Sequence, residues 1–379
     1  MPLPPRVTVV GAGAFGGWTA LSLLRSGARV TLVERREAGN ALSSSGGESR
    51  VIRHVYERRH HVALAQRALA LWRRADDEWG RGLFHQKGVL FLSRQGELLP
   101  RAAQHLESAG VAFERLDPAS LAARYPQIRT DDLDDAIFEP GSGYLDARRA
   151  CEAVRDAFVH EGGEYRIATA KPGPVRAGEM QGIGFEGGEQ ISEGLFVFAC
   201  GPWLPALFPQ FLQQSLAVTR QEVYFFRTPP AQRAPLNRDL PVWAVLDNAF
   251  WYGIPGADGR FKLANDSHGR SVDPETQSRE PTPDGIEAAR SFMESRFPGM
   301  RGAAYVDARV CQYTVSPDAD FLLDRVPGAG NAWLLGAGSG HGFKHGPALG
   351  ELAAACVLGQ RATEPEYALE RLGQGVAPA

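Results

Sequence analysis

The residues of this chain whose types and spacing could do chemistry fall into three sets. The first is Gly11-Ala12-Gly13-Ala14-Phe15-Gly16, set between the β-branched run Val7-Thr8-Val9-Val10 and an apolar helical stretch at 18–24. Glycines so placed permit a tight turn, close approach of backbone to a pyrophosphate and close helix–strand packing; the helix amides and dipole favour the negative charge. Glu34 closes a second strand, 29–33, about twenty residues beyond the loop, where a carboxylate can accept hydrogen bonds from ribose hydroxyls. Its charge argues against a ribose 2′-phosphate, although the neighbouring Arg35 and Arg36 keep NADP open. The motif does not choose between a flavin and a nicotinamide.

The second set is cationic and is not marked by spacing: Arg50 and Arg53 within Ser49-Arg50-Val51-Ile52-Arg53-His54, Lys262 within Phe261-Lys262-Leu263, and Lys344 at the end of Gly336-Ala337-Gly338-Ser339-Gly340-His341-Gly342-Phe343-Lys344, each of which taken alone reads as a surface charge. If 49–54 is helical, the two arginines share a face; they read equally as a solvated basic patch. The third set is Cys311-Gln312-Tyr313-Thr314, in which Cys311, taken alone, reads as a buried inert thiol. His341 and His345 lie among glycines without a flanking acid, and His54, His60 and His61 lack a partner at metal spacing, so no metal is expected. No Ser-His-Asp or paired-carboxylate arrangement is detectable.

These residues must be held by ordinary globular elements. The chain has 379 residues, 44% hydrophobic and 22% charged, enough for two domains with a sizeable core. A net charge of −3 predicts no general attraction to nucleic acid or anionic membrane. Cys151, Cys200, Cys311 and Cys356 are far apart, and no secretory signal or apolar span is visible. Free thiols and a cytoplasmic address are expected.

Helical periods run over 61–79 (Leu64, Ala68, Leu71 and Trp72 inward, Arg73-Arg74 and Asp76-Asp77-Glu78 as a solvated face), 101–109, 118–125, 147–160, 284–297 and 347–358. Strands are expected at 87–92 and 136–139, and strands running into glycine at 194–201 and 332–340. From Val218 the sequence becomes aromatic and proline-punctuated, with 223–226, 242–245, 250–254 and 261–264 reading as an antiparallel sheet. Glycine-ended strands at both ends of the chain therefore bracket a strand-rich middle. The fold class is α/β: a discontinuous Rossmann-like nucleotide domain (1–82, 140–217 and 308–379) with an inserted antiparallel-sheet substrate or catalytic domain (83–139 and 218–307).

The segment 309–324 around Cys311 closely resembles the covalent-flavin segment of the monomeric sarcosine oxidase family, which includes N-methyltryptophan oxidase and pipecolate oxidase. The stretches 336–344, 49–54 and 261–263 resemble further blocks of that family, in its order, and with the N-terminal loop they span nearly the whole chain. The resemblance implies FAD, attached covalently through Cys311, since a cysteine acts as a nucleophile through its thiolate. It implies that Arg53 and Lys344 hold a substrate carboxylate, that Arg50 stabilises the reduced flavin, and that Lys262 activates dioxygen. Tyr313 and Trp251 complete the implied catalytic group. Cofactor contacts are implied for Gly11, Gly13, Ala14, Phe15, Gly16, Glu34 and Arg35 at the N-terminus. Further contacts are implied for Ser44, Ser49 and Arg50, for Gly201 and Trp203, and for Gly338, Gly340, Gly342, Phe343 and Lys344.

The chain departs from the sarcosine oxidases at positions that border the substrate. Asp266 stands where histidine is expected, with His268 two residues on; Ser45 and Gly46 replace histidines; Trp251 replaces a tyrosine beside Tyr252. The departures bear on the substrate rather than the cofactor. The expected activity is oxidation of a secondary amino acid, N-methyl or cyclic, by an FAD-dependent amine oxidase that passes electrons to dioxygen and yields hydrogen peroxide. The partners are then an amino acid and dioxygen, and nothing requires more than a monomer. The rivals are a flavin dehydrogenase with another electron acceptor, a nicotinamide-dependent dehydrogenase, and a non-catalytic dinucleotide-binding protein.

Overall fold

The computed structural model describes residues 3–94, 96–246, 249–256 and 258–373. β1 (Arg6–Val10) lies inside a six-stranded sheet, ordered Leu322–Arg325, Ala332–Gly336, Leu195–Phe198, β1, β2 (Arg29–Glu34), Glu164–Ile167. Only the pair Leu322–Arg325 and Ala332–Gly336 is antiparallel. Strands buried on both faces of such a sheet read as unbroken apolar runs, as in Leu195-Phe196-Val197-Phe198. One face is covered by α1 (Ala14–Arg25), α2 (Arg59–Trp79), Ala147–His160 and Gly346–Val357, packed around Trp18, Leu21, Trp72 and Phe158. Phe196, Phe198, Leu204 and Phe208 form the core on the other face.

The second large sheet has eight strands, ordered Tyr305–Val315, Ala217–Arg227, Arg260–Asn265, Phe250–Pro255, Val242–Leu246, Val89–Ser93, Asp135–Glu139, Glu114–Leu116. The antiparallel pairing expected for 223–264 is present. Val242–Leu246 and Val89–Ser93, however, run parallel; they come from separate segments of the chain, so no hairpin imposes an antiparallel direction. Helix Pro283–Arg296, its N-terminus capped by Thr282, packs Ala289 and Met293 against Trp243, Phe261 and Leu263. The architecture is a discontinuous Rossmann-like unit carrying an inserted, largely antiparallel sheet.

Three expectations change. The stretch 49–54 is not helical: β3 (Ser49–Ile52) pairs antiparallel with Gly143–Asp146, so Arg50 and Arg53 do not share a helix face. Asp76 is not merely solvated, because its carboxylate accepts hydrogen bonds from the Leu83 and Phe84 amides at 2.8 and 3.0 Å and anchors the chain leaving α2. The domain break at 307/308 cuts Tyr305–Val315, whose pairing with Ala217–Arg227 extends over its whole length. We propose that the folding units divide along the two large sheets, with that break placed after Val315.

Candidate active site

The carboxyl ends of β1, β2, Leu195–Phe198 and Ala332–Gly336 meet at one edge of the six-stranded sheet, where a doubly wound fold takes its ligand. Gly11 has φ +104°, and a Cβ there would lie 2.4 Å from the Ala199 carbonyl oxygen. A Cβ on Gly16 would lie 1.8 Å from the Gly11 carbonyl oxygen. Gly16 thus acts by letting α1 start close against β1 rather than by lining the cavity. The Ala12 amide donates to Glu34 Oε2 at 2.8 Å, and the Ala14 amide donates to Ser45 Oγ at 3.0 Å. Burial raises the Glu34 carboxyl above its usual range, against the pull of the Ala12, Arg36 and Arg35 amides.

From this cradle a cavity extends along Gly13, Ala14, Phe15, Arg35, Ser44, Gly201 and Trp203 to Gly338, Gly340, Gly342 and Phe343. Arg35 and Trp203 both bond to the Glu275 carboxylate. A glycine cradle that Cβ atoms would fill, an N-terminal helix turn and an acid at the end of β2 suit the pyrophosphate and ribose of FAD.

A second cavity, of about 60 Å³, adjoins the first. Arg50, Tyr313, Gly340 and Phe343 line both. Gly340, at φ +81°, lets the backbone pass against the Tyr313 ring, which a Cβ would meet at 2.7 Å. The remaining wall is Val51, Arg53, Val89, Phe91, Val242, Trp243, Ala244, Phe250, Tyr252, Asp266, His341 and Lys344. The two large sheets and β3 therefore meet here.

The four cations are held by neutral groups. Arg50 donates to the carbonyls of Ser44, Gly46 and Ser49 at 2.8, 2.6 and 2.9 Å. Arg53 donates to the Val55 carbonyl and lies 4.1 Å over the Tyr56 ring. Lys262 donates to the Ser49 carbonyl and hydroxyl at 2.9 and 3.0 Å. Lys344 donates to Tyr56 Oη at 2.9 Å and the His341 carbonyl at 2.8 Å. Among the described residues, none of the four has a carboxylate within ion-pair distance. Burial, then Arg50, lowers the Lys262 ammonium to about 7. Burial, then Arg53, holds Lys344 well below the usual ammonium range. Such a concentration of unpaired positive charge is costly unless an anionic ligand completes it.

Cys311 lies on Tyr305–Val315, with its sulfur 4.0 Å from Arg50 Nη2. All four cysteines are free. Cys151, in contrast, is fully buried in the core, and burial pushes its thiol up to about 12. Ser49 contributes through Lys262 rather than through a cavity wall.

Trp251 is a correction. It stacks on Phe292 of helix Pro283–Arg296, with ring centroids 4.8 Å apart, and belongs to the core. Side chains alternate along a strand, so Phe250 and Tyr252 take the cavity face instead. The histidines also differ from expectation, because acids distant in sequence reach them. His60 and His61 each approach Asp320 Oδ1 at 2.7 Å, an arrangement with metal-site spacing in which Arg58 already occupies the same carboxylate.

Sequence reading passed over two supports. Tyr56 joins Lys344, His341 and His345 through its hydroxyl. Glu139, buried, accepts from the His54 and Val55 amides at 2.9 and 2.8 Å and so fixes the turn that carries Arg53. An acid ending the apolar run Ala136-Ile137-Phe138 was the available signal for Glu139; Tyr56 offered none.

Comparison with known proteins agrees with this geometry. The pattern of the FAD dependent oxidoreductase family matches residues 6–356. Monomeric sarcosine oxidase of Bacillus sp. (strain NS-129) is 30% identical over 357 residues, covering 92% of this chain and 91% of the relative. N-methyl-L-tryptophan oxidase of Salmonella newport (strain SL254) is 28% identical over 364 residues, covering 93% and 94%. Among solved structures, L-proline dehydrogenase from P. horikoshii shares the fold at a TM-score of 0.85 and 20% identity, covering 99% of both chains. With a glycine cradle and acid suited to FAD, and a family match over nearly its whole length, the chain belongs to the FAD-dependent oxidoreductases.

Proposed function

We propose that this protein is an FAD-dependent oxidase of a secondary amino acid, N-methyl or cyclic, forming an imine that water hydrolyses and returning electrons to dioxygen as hydrogen peroxide. The observation that carries the reading is a set of cations unpaired with any carboxylate among the described residues: Arg50, Arg53 and Lys344 line two adjoining cavities, and Lys262 is bonded to Ser49, the residue before Arg50. The curated relatives named above, a sarcosine oxidase and an N-methyl-L-tryptophan oxidase, support the amine class.

FAD supplies the two-electron acceptor. Gly11, Gly13, Ala14 and Glu34 would hold its nucleotide portion, and Arg50, Tyr313, Gly340 and Phe343 the region where the cavities meet. Cys311 would carry a covalent link to the flavin. Arg53 and Lys344 bind and orient the substrate carboxylate by charge-assisted bonds, which fixes the reacting C–H. Lys262, held by Ser49, offers a positioned positive charge for dioxygen reduction.

Anaerobic mixing with a panel of N-methyl, cyclic and primary amino acids should bleach the flavin with secondary amines, and readmitted air should restore the colour with peroxide release. Bleaching by no amino acid overturns the substrate class. Reoxidation no faster than that of free reduced flavin overturns the oxidase. Acid-precipitated protein should keep its yellow colour in the pellet, and Cys311→Ala should not; colour lost from the native pellet overturns the covalent link.

A further inference from the structure

We propose that Asp266 holds the substrate's amine nitrogen, and that the substrate is a small amino acid bound with its ammonium on Asp266 and its carboxylate on Arg53 and Lys344. The inference rests on the amino-acid reading above and specifies it.

Asp266 immediately follows the strand Arg260–Asn265. Phe261 and Leu263 of that strand face helix Pro283–Arg296 in the core, so alternation turns Lys262 and Asp266 to the opposite, ligand side. There Asp266 is the only carboxylate lining the 60 Å³ cavity among the described residues, together with three cations, Arg50, Arg53 and Lys344, that also line it. Its Oδ1 accepts the Tyr313 hydroxyl at 2.8 Å, and its backbone amide donates to the Phe250 carbonyl at 2.7 Å. Among the described residues Oδ2 has no hydrogen-bond partner. The carboxylate is thus held rigidly by one oxygen and has the other to offer.

Burial raises its pKa, opposed by the Tyr313 bond and by the charges of Arg53 and Lys344. A cationic ligand group would relieve that burial, as an anionic one would relieve Arg53 and Lys344. An α-amino acid zwitterion carries both groups on one carbon. The cavity size sets the rest: at roughly 10–15 Å³ per water-sized site, 60 Å³ holds about four to six such sites. Val51, Val89, Phe91 and Phe250 add apolar surface. A substrate of N-methylglycine or proline size fits that space.

The test compares two ligands of one shape. N-methylglycine and methoxyacetate differ in an NH2⁺ against an ether oxygen. Each is titrated calorimetrically into the reduced, anaerobic holoenzyme, which cannot turn over. Native protein should bind N-methylglycine more tightly than methoxyacetate. Asp266→Asn, which keeps an oxygen for Tyr313, should weaken N-methylglycine by tenfold or more and leave methoxyacetate within about threefold. Equal weakening of both ligands, or of neither, overturns the proposal and makes Asp266 a support for Tyr313 alone. Native binding of methoxyacetate as tight as that of N-methylglycine overturns it while the carboxylate reading stands; native binding of neither overturns both.

Discussion

The two cavities that meet at Arg50 and Tyr313 are built on opposite principles. The nucleotide cavity is largely a backbone construction: its cradle, with Gly11, Gly13, the helix amides and Glu34, comes from one continuous segment, 6–34, and is closed by loops that include Gly201 and Gly336 to Gly342. The smaller cavity is a side-chain construction. Its charges arrive on β3, on the turn held by Glu139, after the strand Arg260–Asn265 and after the strand Ala332–Gly336, and no two are close in sequence except Arg50 and Arg53. Backbone sites tolerate little change of shape; side-chain sites tolerate shape changes but not loss of charge.

The sharpest break in the first region is Gly16→Val. With the position's Cβ 1.8 Å from the Gly11 carbonyl, α1 must shift. Flavin absorbance per mole of purified protein should fall to nearly nothing. Full flavin occupancy would show that the cradle adapts and that the contrast with the side-chain site is false.

In the second region, charge should matter more than volume. Lys262→Met should slow reoxidation by dioxygen by on the order of a hundredfold to a thousandfold while flavin reduction changes far less, as stopped-flow half-reactions will resolve. Equal effects on both half-reactions would remove Lys262 from the oxygen step. Lys344→Met or Arg53→Met should cost about 2–5 kcal/mol in binding of simple carboxylate inhibitors, read by spectral titration. Unchanged affinity in both variants would exclude a carboxylate there.

Lys262 also predicts a pH effect on stability. In the unfolded chain its ammonium keeps its proton to about 10.5, whereas burial releases it near 7 in the folded protein. Between these values the unfolded state binds more protons, so this residue makes stability rise with pH. Denaturant midpoints at pH 7 and pH 9.5 should show that gain in the native protein, and a smaller one in Lys262→Met. The smallest effect is expected at Trp251→Phe, which should lower stability by roughly 0.5–3 kcal/mol through lost packing on Phe292, with substrate affinity unchanged. A large change in affinity would return Trp251 to the substrate site.

Legibility in the sequence followed the same division. The strand–loop–helix–strand–acid run at 6–34 was readable because each of its contacts lies within one turn or one strand pairing. Helix 147–160 was legible from its period alone. Arg50, Arg53, Lys262 and Lys344 were visible as candidates through family resemblance, not through spacing. Trp251 was misassigned because a one-residue shift along a strand exchanges core and cavity faces, and nothing local distinguishes Trp251 from Tyr252. Asp266 was visible only as a departure, and His60 and His61 looked partnerless because Asp320 is some 260 residues away.

By itself, then, the sequence determined the periodicities, the glycine turn and the acid that make a dinucleotide unit, since these depend on short-range sterics and local hydrogen bonding. Tertiary structure alone decided which charges share a cavity, which aromatic faces it, and that one carboxylate stands among three cations. Those facts depend on strand order and register across a sheet whose neighbours come from separate segments, and electrostatic coupling acts through space rather than along the chain.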